Sequence, residues 1–174
     1  SHDIVENALQ VLVNLEHRGA CGCEANTGDG AGILIQMPDA FLRTCAPATL
    51  PEAGEYGAGL VFLPHDESDR NRIKDLIAKI VDEEGQRLIG WRDVPIDEQQ
   101  VGRIARRVLP VIRQVYVARR RLVPTAFERK LYVIRKLAEN RIRERGVHPD
   151  GPFHVASLSA GTIIYKGLLL PGRL

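Results

Sequence analysis

Residues 12–37 read LVNLEHRGACGCEANTGDGAGILIQM, and this stretch decides how the rest of the chain is organised. A helical end runs into His17-Arg18-Gly19-Ala20; then come Thr27-Gly28-Asp29-Gly30-Ala31-Gly32 and the apolar run Ile33-Leu34-Ile35. Gly19, Gly28, Gly30 and Gly32, with Arg18 and Asp29 among them, predict a backbone in unusual dihedrals close to a ligand or a reacting group. The order is helix, glycine loop, strand. A dinucleotide fingerprint needs the reverse, a strand before the glycines and a helix N-terminus after them to meet the pyrophosphate. That reading is rejected, and no Walker A pattern is present.

Upstream, Val5, Ala8, Leu9, Leu12 and Leu15 recur at helical spacing behind Asp3, a candidate N-cap, and Gly19 offers a left-handed stop. Downstream, a short helix is expected over 39–45, a strand over 56–63, and a helix whose stripe is Ile73, Leu76, Ile77, Ile80 and Val81, capped by Asp66 or Ser68 and ended by Gly85. Residues 86–94 and 111–117 read as strands joined by a polar connection. Pro124 opens a long helix with Phe127, Leu131, Ile134, Leu137, Ala138 and Ile142 on one face, closed by Gly146 and Pro149. Strands over 153–158 and 162–170 follow, joined by Ser159-Ala160-Gly161.

With 174 residues, 44% hydrophobic and 26% charged, the composition is that of an ordinary globular protein. The apolar run Gly59–Leu63 is far shorter than the roughly 20 residues of a bilayer crossing, and no leader pattern precedes it. Three cysteines make no disulfide framework, so a cytoplasmic setting without membrane contact is expected. His17, Cys21 and Cys23 lack a second ligand pair, so no metal site is expected, and Cys45 reads as a packed thiol.

The net charge of +2 hides an asymmetry: residues 101–145 hold 14 Lys and Arg against Glu128, Glu139 and Glu144, a local +11. The remainder holds 10 basic and 19 acidic residues. Basic and acidic faces that meet each other, or another domain, account for this; an anionic partner such as RNA is the competing reading, with nucleic acid the less favoured. Arg18 has two readings of its own: a guanidinium that fixes a carboxylate, or one that bonds the last carbonyls of its helix. Asp29 commonly orients the amides of its own turn, and His17 alone favours packing.

These residues carry a resemblance. Leu15-Glu16-His17-Arg18-Gly19-Ala20 and Thr27-Gly28-Asp29-Gly30-Ala31-Gly32-Ile33-Leu34-Ile35 are similar to the first helix, Arg-Gly turn and glycine loop of the glutaminase domain of glutamate synthase large subunits, which are class II glutamine amidotransferases. Gly90-Trp91-Arg92-Asp93-Val94-Pro95, Pro110-Val111-Ile112-Arg113-Gln114-Val115, Glu128-Arg129-Lys130-Leu131-Tyr132-Val133 and Tyr165-Lys166-Gly167-Leu168-Leu169 resemble later signatures of the same family. The resemblance covers essentially the whole chain.

It implies an α+β, N-terminal nucleophile fold: stacked antiparallel sheets between helical layers. Core pieces fall at about 1–40 and 153–174, with a glutamate-synthase-type insertion at about 41–152. It implies release of ammonia from glutamine by a thiol whose own α-amino group is the base. The ammonia then aminates 2-oxoglutarate to glutamate in synthase domains of the same polypeptide. FMN and an iron-sulfur cluster serve those domains, not this chain, with electrons from NAD(P)H or ferredoxin and a small electron-supplying subunit as a candidate partner. Arg18 and Gly19 match the turn that lines the substrate pocket; Gly28, Asp29, Gly30 and Gly32 match its supporting loop.

The nucleophilic Cys is expected upstream of Ser1, and the carboxylate clamp and oxyanion pair beyond Leu174. The chain is therefore expected to be an inactive fragment of the domain, incomplete in fold and holding no catalytic residue of its own.

Overall fold

In the computed structural model, which describes residues 2–15, 30–97, 99, 101–146 and 153–167, the central strands of the larger sheet are buried in continuous runs, as a sheet covered on both faces requires. Strands β2 (Tyr56–Leu63), β3 (Arg87–Asp93), β4 (Val111–Ala118) and β5 (His154–Ser159) form an antiparallel sheet in the order β3-β4-β2-β5. Side chains alternate across a strand, so Val61, Leu63, Val115 and Val117 share one face while Tyr56, Ala58 and Tyr116 share the other.

The first face is covered by helices α3 (Glu67–Glu83) and α5 (Pro124–Glu144). Their stripes, Ile73, Leu76, Ile77, Ile80 and Val81 on one and Phe127, Leu131, Ile134, Ala138 and Ile142 on the other, are buried. Leu137 is only partly buried against that core. The second face packs Leu42 of helix α2 (Asp39–Cys45) and Leu50 against Tyr56, Ala58 and Tyr116.

Local chemistry fixes the ends of these elements. The Asp66 carboxylate accepts from the Asp69 amide at 2.8 Å, so Asp66, and not Ser68, caps α3. Pro124 begins α5, where its missing N–H costs nothing. Two bulges reset the register. Ala156 has no partner between Leu60↔Ser157 and Val61↔Val155, and this brings both Val155 and Leu158 to the helix-covered face. Ile89 is skipped likewise between Leu88 and Gly90, which places Leu88 and Trp91 on that same face.

The chain divides into two compact units. The sheet just described lies in the unit of Gln36–Val94 and Pro110–Ile163. The other comprises Ser1–Ile35, Pro95–Leu109 and Ile164–Leu174. It contains helix α1 (His2–Asn14), helix α4 (Arg103–Val108) and most of the hydrogen-bonded strands β1 (Ala31–Gln36) and β6 (Thr162–Gly167). The helix α1 begins at His2, so Asp3 lies in its first turn and is not the N-cap expected from sequence. Val5, Ala8, Leu9 and Leu12 are half-buried, whereas Ile4, Val11 and Leu15 are exposed. The connection read as merely polar contains α4, whose six residues, RIARRV, are too short for a legible stripe. The last strand is described to Gly167; Leu168 to Leu170, and Pro149, lie outside the described residues.

The expected class, α+β with antiparallel sheets, is the one found.

Candidate functional site

The sequence-predicted site is flanked by α1 on one side and β1 on the other. At the end of α1 the Leu15 amide donates to Val11 and Leu12 carbonyls at 3.1 and 3.2 Å. Arg18, Gly19, Gly28 and Asp29, together with His17, Cys21 and Cys23, lie outside the described residues. Gly30 re-enters them with φ at +125°, a conformation that L side chains rarely adopt. Two residues on, Gly32 lies close against β6. A Cβ built there would stand 2.9 Å from Lys166 Cβ and 3.2 Å from the Tyr165 carbonyl oxygen. Both neighbours are fixed to the backbone of β6, so the fit of β1 to β6 depends on a bare Cα.

Where α2 enters the larger sheet, a polar knot ties the elements together. The Tyr56 hydroxyl donates to Asp39 Oδ1 and Arg43 Nε donates to Asp39 Oδ2, each at 2.8 Å. Arg43 also donates to the Leu50 and Pro51 carbonyls. The Arg43 hydrogen bond, aided by Tyr56 and opposed by burial, holds the Asp39 carboxyl below its usual value; burial and the Asp39 contact push the Tyr56 phenol up. A second knot centres on Gln114, fully buried, whose Oε1 accepts from Tyr116 Oη at 2.7 Å and from Arg92 Nη1 at 3.1 Å. The glutamine amide thus satisfies polar groups that would otherwise be costly between apolar layers.

The acidic and basic parts of the chain meet within this unit. Arg119 forks onto both Glu55 oxygens, Lys130 reaches Glu84 at 2.6 Å, Arg141 reaches Glu83, and Arg113 reaches Asp93 at 2.8 Å. The Arg141 hydrogen bond holds the Glu83 carboxyl below its usual value. Burial tends to raise Glu139, yet Lys136 and Arg135 outweigh it and hold that carboxyl down. Much of the basic segment's charge is therefore answered by carboxylates of the same fold.

Cys45 is half-buried, its thiol directed at the Phe41 and Leu42 carbonyls of its own helix, which makes it a packed residue and not an activated nucleophile. Among the described residues no three His, Cys, Asp or Glu side chains converge. No helix among them is long and apolar enough to cross a membrane.

The family model for class-II glutamine amidotransferases matches residues 1–174. The chain belongs to this family. It is 45% identical over 174 residues to the glutamate synthase [NADPH] large chain of Bacillus subtilis, covering 98% of this chain and 11% of that one. It is 36% identical over 173 residues to the ferredoxin-dependent glutamate synthase 1 of Arabidopsis thaliana, covering 97% and 10%, and 36% identical to the ferredoxin-dependent enzyme of rice, covering 97% and 11%. This amidotransferase sequence thus spans about a tenth of the length of the curated relatives it matches. The competing reading, an RNA-binding module, finds no support in these matches, and the ion pairs above supply the basic segment with internal partners.

Proposed function

We propose that the chain forms part of the glutamine-hydrolysing domain of a glutamate synthase. The observation that carries this is the family match over residues 1–174 together with 45% identity, across 98% of the chain, to a glutamate synthase large chain. In this reading glutamine is the substrate of the complete domain, and ammonia passes to synthase domains of the same polypeptide. Flavin and iron-sulfur chemistry belongs to those domains, with NAD(P)H or ferredoxin as electron source, as the relatives' names divide, and with an electron-supplying subunit where NAD(P)H is used. A cytoplasmic setting is part of the same reading.

Arg18 and Gly19 line the pocket. A guanidinium there supplies up to five donors in a planar fork, suited to a carboxylate or a carbonyl of the substrate. Gly28, Asp29, Gly30 and Gly32 support the loop, a role favoured by the positive φ of Gly30 and by the lack of space at Gly32. The stretch of about 41–152 is the family-specific insertion, and it supplies three of the four strands of the larger sheet and both helices that cover it. The 174 residues by themselves contribute pocket wall and scaffold, and the nucleophile is not assigned to any of them.

The test is ammonia release from glutamine. A glutamate-synthase-length polypeptide carrying this sequence hydrolyses glutamine, while the 174 residues alone do not. Absence of glutamine hydrolysis in that polypeptide overturns the proposal.

A further inference from the structure

At the C-terminal end of α3 the larger unit has an open cavity of about 590 Å³, lined by Gly85, Arg120 and Arg121. Both arginines are exposed, so the cavity opens to solvent. Its walls are held in place. The Gln86 side chain, 2% exposed, donates to the Glu84 carbonyl at 3.2 Å and accepts from the Arg120 amide at 2.9 Å, tying the end of α3 to the turn after β4. Arg119 fastens the other side of that turn: its amide donates to the Glu55 carbonyl at 2.8 Å and its guanidinium to the Leu122 carbonyl at 2.7 Å.

Two facts single out Arg120 and Arg121. The neighbouring carboxylates are already engaged, Glu55 by Arg119 and Glu84 by Lys130, and among the described residues neither Arg120 nor Arg121 has a carboxylate partner. Arg121 also has φ at +49°, the positive value of a non-glycine residue among those described. A left-handed position is less strained for glycine than for an L residue, and here it holds an arginine at the cavity wall.

We propose that this cavity binds a small phosphorylated ligand through the Arg120 and Arg121 guanidinium groups. Adjacent guanidiniums make paired, charge-assisted hydrogen bonds to phosphate oxygens, and two of them match a group carrying about two negative charges. None of these residues belongs to the glycine loop, and the proposal does not depend on the function proposed above.

Inorganic pyrophosphate is the probe, titrated calorimetrically into the full chain at low salt. Binding is expected, with Arg120→Ala and Arg121→Ala each weakening it about tenfold. Arg72→Ala is expected to leave it unchanged, since Arg72 is exposed and ~16 Å of helix from the end of α3. Circular dichroism confirms that each variant is folded, and Arg121→Gly, which relieves the backbone while removing the charge, is expected to fold at least as well yet bind as weakly as Arg121→Ala. No heat of binding, equal affinity in the arginine variants, or an equal loss in Arg72→Ala overturns the proposal. So does a short polyglutamate peptide that binds this cavity more tightly than pyrophosphate, which would assign it to an acidic polypeptide partner.

Discussion

Replacing Gly32 with alanine tests whether the glycine loop is held by the fit of β1 to β6. The added Cβ meets Lys166 Cβ at 2.9 Å and the Tyr165 carbonyl oxygen at 3.2 Å, and neither can swing aside by a side-chain rotation, so the strands must move apart. Overpacking of this kind costs about 1–3 kcal/mol, and the lower entropy of the unfolded alanine chain returns about 0.4–1 kcal/mol. The net expected loss is about 1–2 kcal/mol. Local opening free energies are read by amide hydrogen exchange, and a loss of that size speeds exchange about 5–30-fold at the β1 and β6 amides. Amides of α3 and α5, in the other compact unit, should keep their protection. Unchanged exchange across β1 and β6 would refute the argument that Gly32 is required by close approach.

The other expectations concern the larger sheet. Phe127 is fully buried between α5 and the strands, so Phe127→Ala should lower the unfolding free energy by about 3–5 kcal/mol, measured by urea titration. Tyr56→Phe removes the hydrogen bond to Asp39 and should cost about 1 kcal/mol at neutral pH. Because Arg43 and Tyr56 hold the Asp39 carboxyl below its usual value of 3.8, their contribution is fully present above that pH and is lost as pH falls through the lower folded value. The gap between wild type and Tyr56→Phe should therefore narrow in titrations repeated below that pH; a constant gap would show that Asp39 is not the group involved.

Much of the architecture was legible in the sequence because it rests on local periodicity. The stripes from Ile73 to Val81 and from Phe127 to Ile142 repeat at helical spacing, and Pro124 and Gly85 mark their bounds where the structure has them. What was not legible depends on partners distant in the chain. The bulges at Ile89 and Ala156 follow from pairing with β4 and β2, and the need for glycine at position 32 follows from β6, more than 120 residues later. The buried Gln114, with Arg92 and Tyr116 around it, gave no sign either, since a lone glutamine in a strand carries no spacing signal. The Arg119-Arg120-Arg121 run was visible as charge, but only the fold separates the structural Arg119 from the two that line a cavity. At the glycine loop, residue types and resemblance supplied Arg18 and Asp29, and the flanking Gly30 and Gly32 supply the geometry.

The most direct test of the functional account is steady-state glutaminase kinetics of a glutamate-synthase-length polypeptide carrying this sequence, with Arg18→Ala beside the unaltered protein. Loss of a charge-assisted hydrogen bond to substrate is expected to lower kcat/KM for glutamine about 10–100-fold while the protein stays folded. An Arg18→Ala variant with undiminished kcat/KM would contradict the placement of this turn at the pocket.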